Sequence, residues 1–178
     1  MGMSVAALWG FAEATLFFLV PDVWLSALAL SDLRTALKAC VSALVGALAG
    51  GVLMFAWGAW DPGSALSCLD RLPAIFPAML ERVDVEVRAR GASALLTGPW
   101  GGIPYKIYAV QSGRRGVSLV GFLLWSVPGR LVRFVLVTLL AAGLCRLMPK
   151  AWTVSRRTLW HAAAWVTFYS VYFLRMPN

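Results

Sequence analysis

The sequence predicts an all-α integral membrane protein, one domain over residues 1–178, with two opposed re-entrant helical hairpins, about three transmembrane helices and an inverted repeat relating the halves. Three observations lead there. Of the residues, 60% are hydrophobic and 13% charged, with a mean hydropathy of +0.75, against roughly 45–50% apolar and 25% charged for a soluble domain. Residues 39–60, ACVSALVGALAGGVLMFAWGAW, carry no charge, and at about 1.5 Å per residue they cross a ~30 Å hydrocarbon layer. Two other apolar stretches are broken near their middle by proline, glycine and charge, which a simple span would not choose.

The first hairpin covers residues 4–31. Its leading arm holds Glu13 and ends at Pro21-Asp22, and only VWLSALAL separates that break from Ser31-Asp32. Eight helical residues reach about 12 Å, too short to cross, so both arms return to one side. The span 39–60 follows. Residues 61–91, DPGSALSCLDRLPAIFPAMLERVDVEVRARG, form a charged surface connection, in which VDVEVRAR fits a strand or an interfacial helix equally well. Residues 92–113 repeat the broken pattern, with Gly98-Pro99, Gly101-Gly102 and Pro104 at the break and Lys106 just after it. Spans over 117–145 and 157–175 complete the order. One crossing between the hairpins places them on opposite faces, the layout of an inverted repeat.

A formal charge of +8 raises the possibility of nucleic acid, but the basic residues are spread over short connections as flanks of membrane spans, and no nucleic-acid partner is expected. Cys40, Cys68 and Cys145 have neither disulfide nor zinc spacing, so no metal and no cofactor is expected. The first cation is Arg34, and Ala6 stands where N-myristoylation wants Ser or Thr, so the N-terminus is read as part of the membrane domain. Counted by side, seven arginines (71, 82, 88, 90, 114, 115, 175) accompany the 61–91 connection, and six cations (Arg34, Lys38, Arg146, Lys150, Arg156, Arg157) lie opposite. By that one residue the positive-inside rule puts the connection in the cytoplasm.

Five ionisable residues fall inside membrane segments: Glu13, Asp22, Lys106, Arg130 and Arg133. At ~2.5–3.5 kcal/mol for each central charge, leaving all five unpaired would cost over ~12 kcal/mol, so they must be paired, hydrated or near the interface. Snorkelling accounts for any one of them; the set points to a site where the two broken tips meet. A helix starting after a Pro/Gly break presents free N–H groups to an anion, and Lys106 strengthens that end. In WSVPGRLVRF, residues 125–134, Pro128-Gly129 predicts a kink and sets Arg130 and Arg133 on one helix face. Three cations against two acids leave one net positive charge, suited to a singly charged phosphodiester or to part of a phosphomonoester.

GPWGGIPYKIYAVQSG resembles the PxPxK…xxG hairpin, and PGRLVRF the GRxxRF segment, of the DedA family, also called SNARE-associated Golgi or VTT membrane proteins; FAEATLFFLVPDVWL is similar to that family's first hairpin. The resemblance covers most of residues 5–145. It implies opposed re-entrant hairpins and a transporter that moves phospholipid or undecaprenyl phosphate between leaflets, scramblase-like or flippase-like. In bacteria such movement, in the cytoplasmic (inner) membrane, is often coupled to protons. Matched residue by residue it points to Lys106, Arg130 and Arg133 for substrate and to Glu13 and Asp22 for protons or as counter-ions, with Pro21, Gly98, Pro99, Gly101, Gly102 and Pro104 at the breaks. The chain departs from the pattern where Gly102-Ile103-Pro104 replaces the proline pair and where Asp22 stands for the usual glutamate.

Other classes remain open. A proton-coupled transporter of another small anion fits the same residues. SRRTLWH, residues 155–161, is near the SR…H element of lipid phosphatases, but the spacing is one short and no acid follows His161, so the chain is not expected to be an enzyme. A structural assembly protein, or a homo-oligomer, would use the small residues of GALAGG, 46–51, for close helix packing.

Overall fold

The computed structural model describes residues 2–98, 101–149 and 151–175. Pro99, one of the expected breaks, and Lys150 lie outside the described residues. All regular structure among the described residues is helical. Helices α1 (Gly2–Ala14) and α2 (Asp22–Ala29) are separated by an irregular stretch at 15–21, and α3 (Leu33–Trp60) follows after a short turn. The Asp32 carboxylate caps α3 by accepting from the Arg34 and Thr35 amides, which starts the helix before residue 39 and places both cations in its first turns.

The 61–91 connection is mostly helical. Asp61 caps α4 (Pro62–Asp70), with Pro62 at the first helical position, and Pro77 opens α5 (Pro77–Arg90) in the same way. VDVEVRAR is therefore helical, not a strand. Its charges pair one turn apart, Arg82 with Glu86 at 3.0 Å and Arg88 with Asp84 at 2.8 Å, while Val83 and Val87 are buried. Gly91, at φ +58°, ends the helix. Asp84 also receives two 2.6 Å hydrogen bonds from Arg115, just past α6, tying this surface helix to the second broken segment. Burial pushes the Asp84 carboxyl up, but the Arg115 bonds and charge, with those of Arg88 and Arg114, outweigh it and hold the carboxyl below its usual range.

The second broken segment is a 3₁₀ turn (Gly91–Leu96) followed by α6 (Tyr105–Arg114). Helix α7 (Leu119–Leu147) is capped by Ser118 and stays helical through Pro128. Helix α8 (Val154–Arg175) comes last and has no buried residue. Among the described residues two helices are long and apolar enough to cross a membrane, α3 with a mean hydropathy of 2.1 over its best window and α7 with 1.7. At 22 residues, α8 is long enough but less apolar.

Helix α3 is the axis of the fold. Its first half meets α1 where Gly10 lies against the Ala43 carbonyl and Gly46 against the Ala7 carbonyl. Its second half meets α6 in the same reciprocal way, Gly58 against Val110 and Gly113 against Phe55. A Cβ at any of the four would overlap a backbone carbonyl oxygen, so these contacts exist only because the side chains are absent. The GALAGG stretch thus packs within the chain: Gly50 faces Phe11 and Ala14, and Gly51 faces the Tyr105 ring.

Candidate functional site

The two interrupted segments meet on one side of α3, and the interruption at 15–21 is held by side chains from elsewhere. The Phe17 carbonyl accepts from Lys106 Nζ at 2.7 Å, the Leu19 carbonyl from Trp9 Nε1 at 3.0 Å, and the Val20 amide donates to Tyr169 Oη at 2.9 Å. A broken helix leaves backbone groups without intrahelical partners, and each of these three finds one. Pro21, fully buried, begins the next helix, its carbonyl accepting from Trp24 and Leu25. At the other break Gly98 lies against the Tyr108 ring, where a Cβ would come within 2.6 Å of it, and its carbonyl accepts from the Gly101 and Ile103 amides. Gly102 takes φ +69°, a conformation glycine adopts without strain, and Pro104 leads into α6.

These breaks bring together the five charges that the sequence singled out. Arg130 reaches across from α7 to Glu13 on α1 and engages both carboxylate oxygens, with side chains only 4% and 6% exposed. Its guanidinium lies 4.7 Å from the centre of the Tyr105 ring and 5.0 Å from that of Phe134. Tyr105 in turn donates to Ser126, which donates to the Phe122 carbonyl. The outer pair is looser. Arg133 Nη2 stands 3.2 Å from Asp22 Oδ2 but makes no hydrogen bond there, and both Arg133 Nε and Asp22 Oδ1 are buried without a partner among the described residues. Lys106 is 3% exposed and makes no ion pair among the described residues; its bond to Phe17 is to a neutral carbonyl.

Beside this network lies a cavity of about 340 Å³. Glu13, Asp22, Lys106 and Arg133 line one side, Tyr105 and the 102–104 turn continue it, and the 72–75 loop closes one edge, with Ala74 at φ +61°. Trp165, Phe168, Tyr169, Tyr172 and Phe173 of α8 give it an aromatic wall as well. Arg130 does not line this cavity; it borders a much smaller one of about 10 Å³ with Tyr108 and Ser126, room for about one water.

The structure brings together all the expected charged residues but divides their roles, since Arg130 is engaged by Glu13 while Lys106 and Arg133 face open space. Tyr105, Ser126 and the α8 aromatics were not singled out from the sequence. Tyr105 sits next to Lys106, and the α8 aromatics recur at helical spacing within WVTFYSVYF, so both signals were there to read. His161 does not join the neighbouring arginines. It meets Ser26 Oγ at 2.8 Å and Trp165 Nε1 at 3.1 Å, while Arg156 stacks over Trp152. Among the described residues no three His, Cys, Asp or Glu side chains could together hold a metal ion. Comparisons with known protein families, with curated proteins and with solved structures found no match for this chain.

Proposed function

We propose that the chain is a multi-pass membrane transporter that moves a lipid phosphate, a phospholipid or a polyprenyl phosphate such as undecaprenyl phosphate, between leaflets. One observation carries this reading: one cavity of about 340 Å³ is lined both by Lys106, Arg133, Asp22 and Glu13 and by five aromatic rings of α8. An anionic head group needs the first wall, and a hydrocarbon chain needs the second. In this reading α1–α2 and the 91–114 segment are re-entrant hairpins of an inverted repeat whose tips meet near mid-membrane. Large apolar side chains exposed along α3 and α7, among them Val41, Val45, Leu53, Leu136, Leu140 and Leu144, support lipid around those helices.

In this mechanism Arg130 and Glu13 form the fixed floor, and Tyr105 orients the guanidinium. Lys106 and Arg133 receive the phosphate. Lys106 exchanges the Phe17 carbonyl for a phosphate oxygen, gaining a charge-assisted bond, and Arg133 has a free Nε to donate. Asp22 keeps the site near one net positive charge, so that the head group is held without being trapped.

A second reading, proton-coupled movement of a small water-soluble anion, is favoured by Asp22 Oδ1, a buried carboxylate oxygen with no partner that a proton would satisfy. Reconstitution into vesicles separates the two. With reducible fluorescent phospholipids, the native chain should speed transbilayer movement, and Lys106→Ala should return it to the protein-free rate while insertion stays intact, because losing a buried cation eases burial. Lys106→Arg should rescue only in part, since a planar fork replaces a point charge. Native-rate movement by a correctly inserted Lys106→Ala variant would overturn the reading. Anion uptake that follows an imposed pH gradient, without lipid movement, would establish the second reading instead.

A further inference from the structure

A second, separate space lies on the far side of the α8 aromatic wall. It is a groove of about 340 Å³ between α7 and α8, lined by Leu140 and Leu144 on α7, Met148 just past its end, Trp160 and Ala164 on α8, and Leu30 at the end of α2. Trp165 and Phe168 border both spaces and so divide the groove from the central cavity. The groove-facing stripe of α8 includes His161 and Ala164, and one turn before His161 on the same stripe is Arg157. Arg157 reaches back toward α7, its Nη1 3.7 Å from Cys145 Sγ, and Cys145 Sγ itself lies 3.6 Å from the Leu30 carbonyl. The guanidinium therefore sits at the end of the groove where Leu30 and Met148 lie. Its Nε is buried and has no hydrogen-bond partner.

Basic residues gather near that end, and the nearest acid in sequence to Leu30, Asp32, is taken up in capping α3. Arg146 closes α7, Arg156 and Arg157 open α8, and none of the three forms an ion pair among the described residues. The last acidic residue in the chain is Glu86. Trp152 and Trp160 stack there with ring centres 6.0 Å apart, and Arg156 lies 4.7 Å over Trp152, a combination suited to the level of lipid head groups. The N-terminus of α8 adds its dipole to the same place.

We infer that this groove is a dedicated binding site for an anionic phospholipid, one acyl chain lying between α7 and α8 and its phosphate on Arg157 and Arg156. The inference rests on the membrane reading above but not on the central cavity. A lipid seated there fills the gap between two helices that otherwise touch little, and so fixes the aromatic wall of the central cavity from behind.

Native mass spectrometry of the whole chain in neutral detergent, with added phosphatidylglycerol or phosphatidylcholine, tests this. The native protein should retain one phosphatidylglycerol about tenfold more than phosphatidylcholine. Retention should fall by a similar factor in an Arg156→Gln/Arg157→Gln variant and, by filling the groove, in Ala164→Trp. Arg88→Gln, at a surface cation that lines neither space, should leave it unchanged, and excess inorganic phosphate should not displace the lipid. Equal retention of the two lipids, or displacement by free phosphate, would overturn the inference. So would loss of the lipid in Arg88→Gln, since any surface cation would then hold it. A chain that holds the lipid in this pattern yet moves none across vesicles leaves the groove site standing and removes the transport reading alone.

Discussion

Helices α3 and α8 belong to the same bundle but attach to it by opposite means. Apart from Leu44 and Met54, every buried residue of α3 is Ala, Gly or Cys, and these let α1 and α6 approach backbone to backbone. Helix α8 has no buried residue and presents Trp, Phe and Tyr rings, which hold it at a distance and leave a space on either side. Small residues lock helices together; large ones prop them apart and make cavities. The charge pairs follow the same division. Glu13 sits on the helix that α3 locks, and its pair with Arg130 is closed, whereas the Asp22–Arg133 pair faces the cavity that α8 walls and is incompletely bonded.

The largest expected effect comes from opening the closed pair. Arg130→Ala strands a fully buried carboxylate and should cost about 3–5 kcal/mol. Arg133→Ala should cost less, about 1–3 kcal/mol, because Asp22, though only 4% exposed, lines the cavity and is incompletely bonded to begin with. Thermal unfolding in detergent measures both, and equal losses would dissolve the distinction between a structural pair and a working one.

Next come the glycine contacts. Gly46→Leu drives a side chain into the Ala7 carbonyl and should cost about 3 kcal/mol, since neither backbone can retreat. Gly143, in α7, has nothing within 4 Å of where its Cβ would be, so Gly143→Ala should stabilise by up to about 1 kcal/mol through helix propensity. If Gly46→Leu melts with the native protein, the α1–α3 contact is not the lock described here.

How much of this the sequence disclosed depends on whether the information is local. Hydrophobic runs and proline or glycine breaks are local, so α3, α7 and breaks at Pro21 and around Gly98 and Gly101–Pro104 were legible, although the first arm already ends at Ala14, where no proline or glycine marks it; so was the set of Glu13, Asp22, Lys106, Arg130 and Arg133. Capping is local as well, yet Asp32 and Asp61 read as loop residues because their partners are main-chain amides two or three positions on. Eight residues of alternating VDVEVRAR could not be resolved by period; their i, i+4 ion pairs decide for helix. Pairing is not local. Nothing in the order of residues says that Arg130 takes Glu13 and leaves Lys106 to a carbonyl, because that depends on the tilt of α7 against α1. Nor does composition say that α8 will wall the cavity, since its aromatics would look the same facing lipid.

The smallest effect probes the loosely held side. Tyr169 is the one α8 side chain that hydrogen-bonds the 15–21 interruption, accepting from the Val20 amide at 2.9 Å among the described residues. Tyr169→Phe keeps the ring and its stacking on Trp165 and Phe173 but leaves that amide without its partner, a loss of about 1 kcal/mol. Because α8 is not locked into the bundle, the disturbance should stay where it is made. Hydrogen exchange should quicken at Val20 and its neighbours, while the amides of Ala43 and Ala47 in the middle of α3 keep their native protection. The cavity wall would then be adjustable independently of the charged floor. Equal quickening in α3 would mean that α8 is part of the lock after all, and that wall and floor move together.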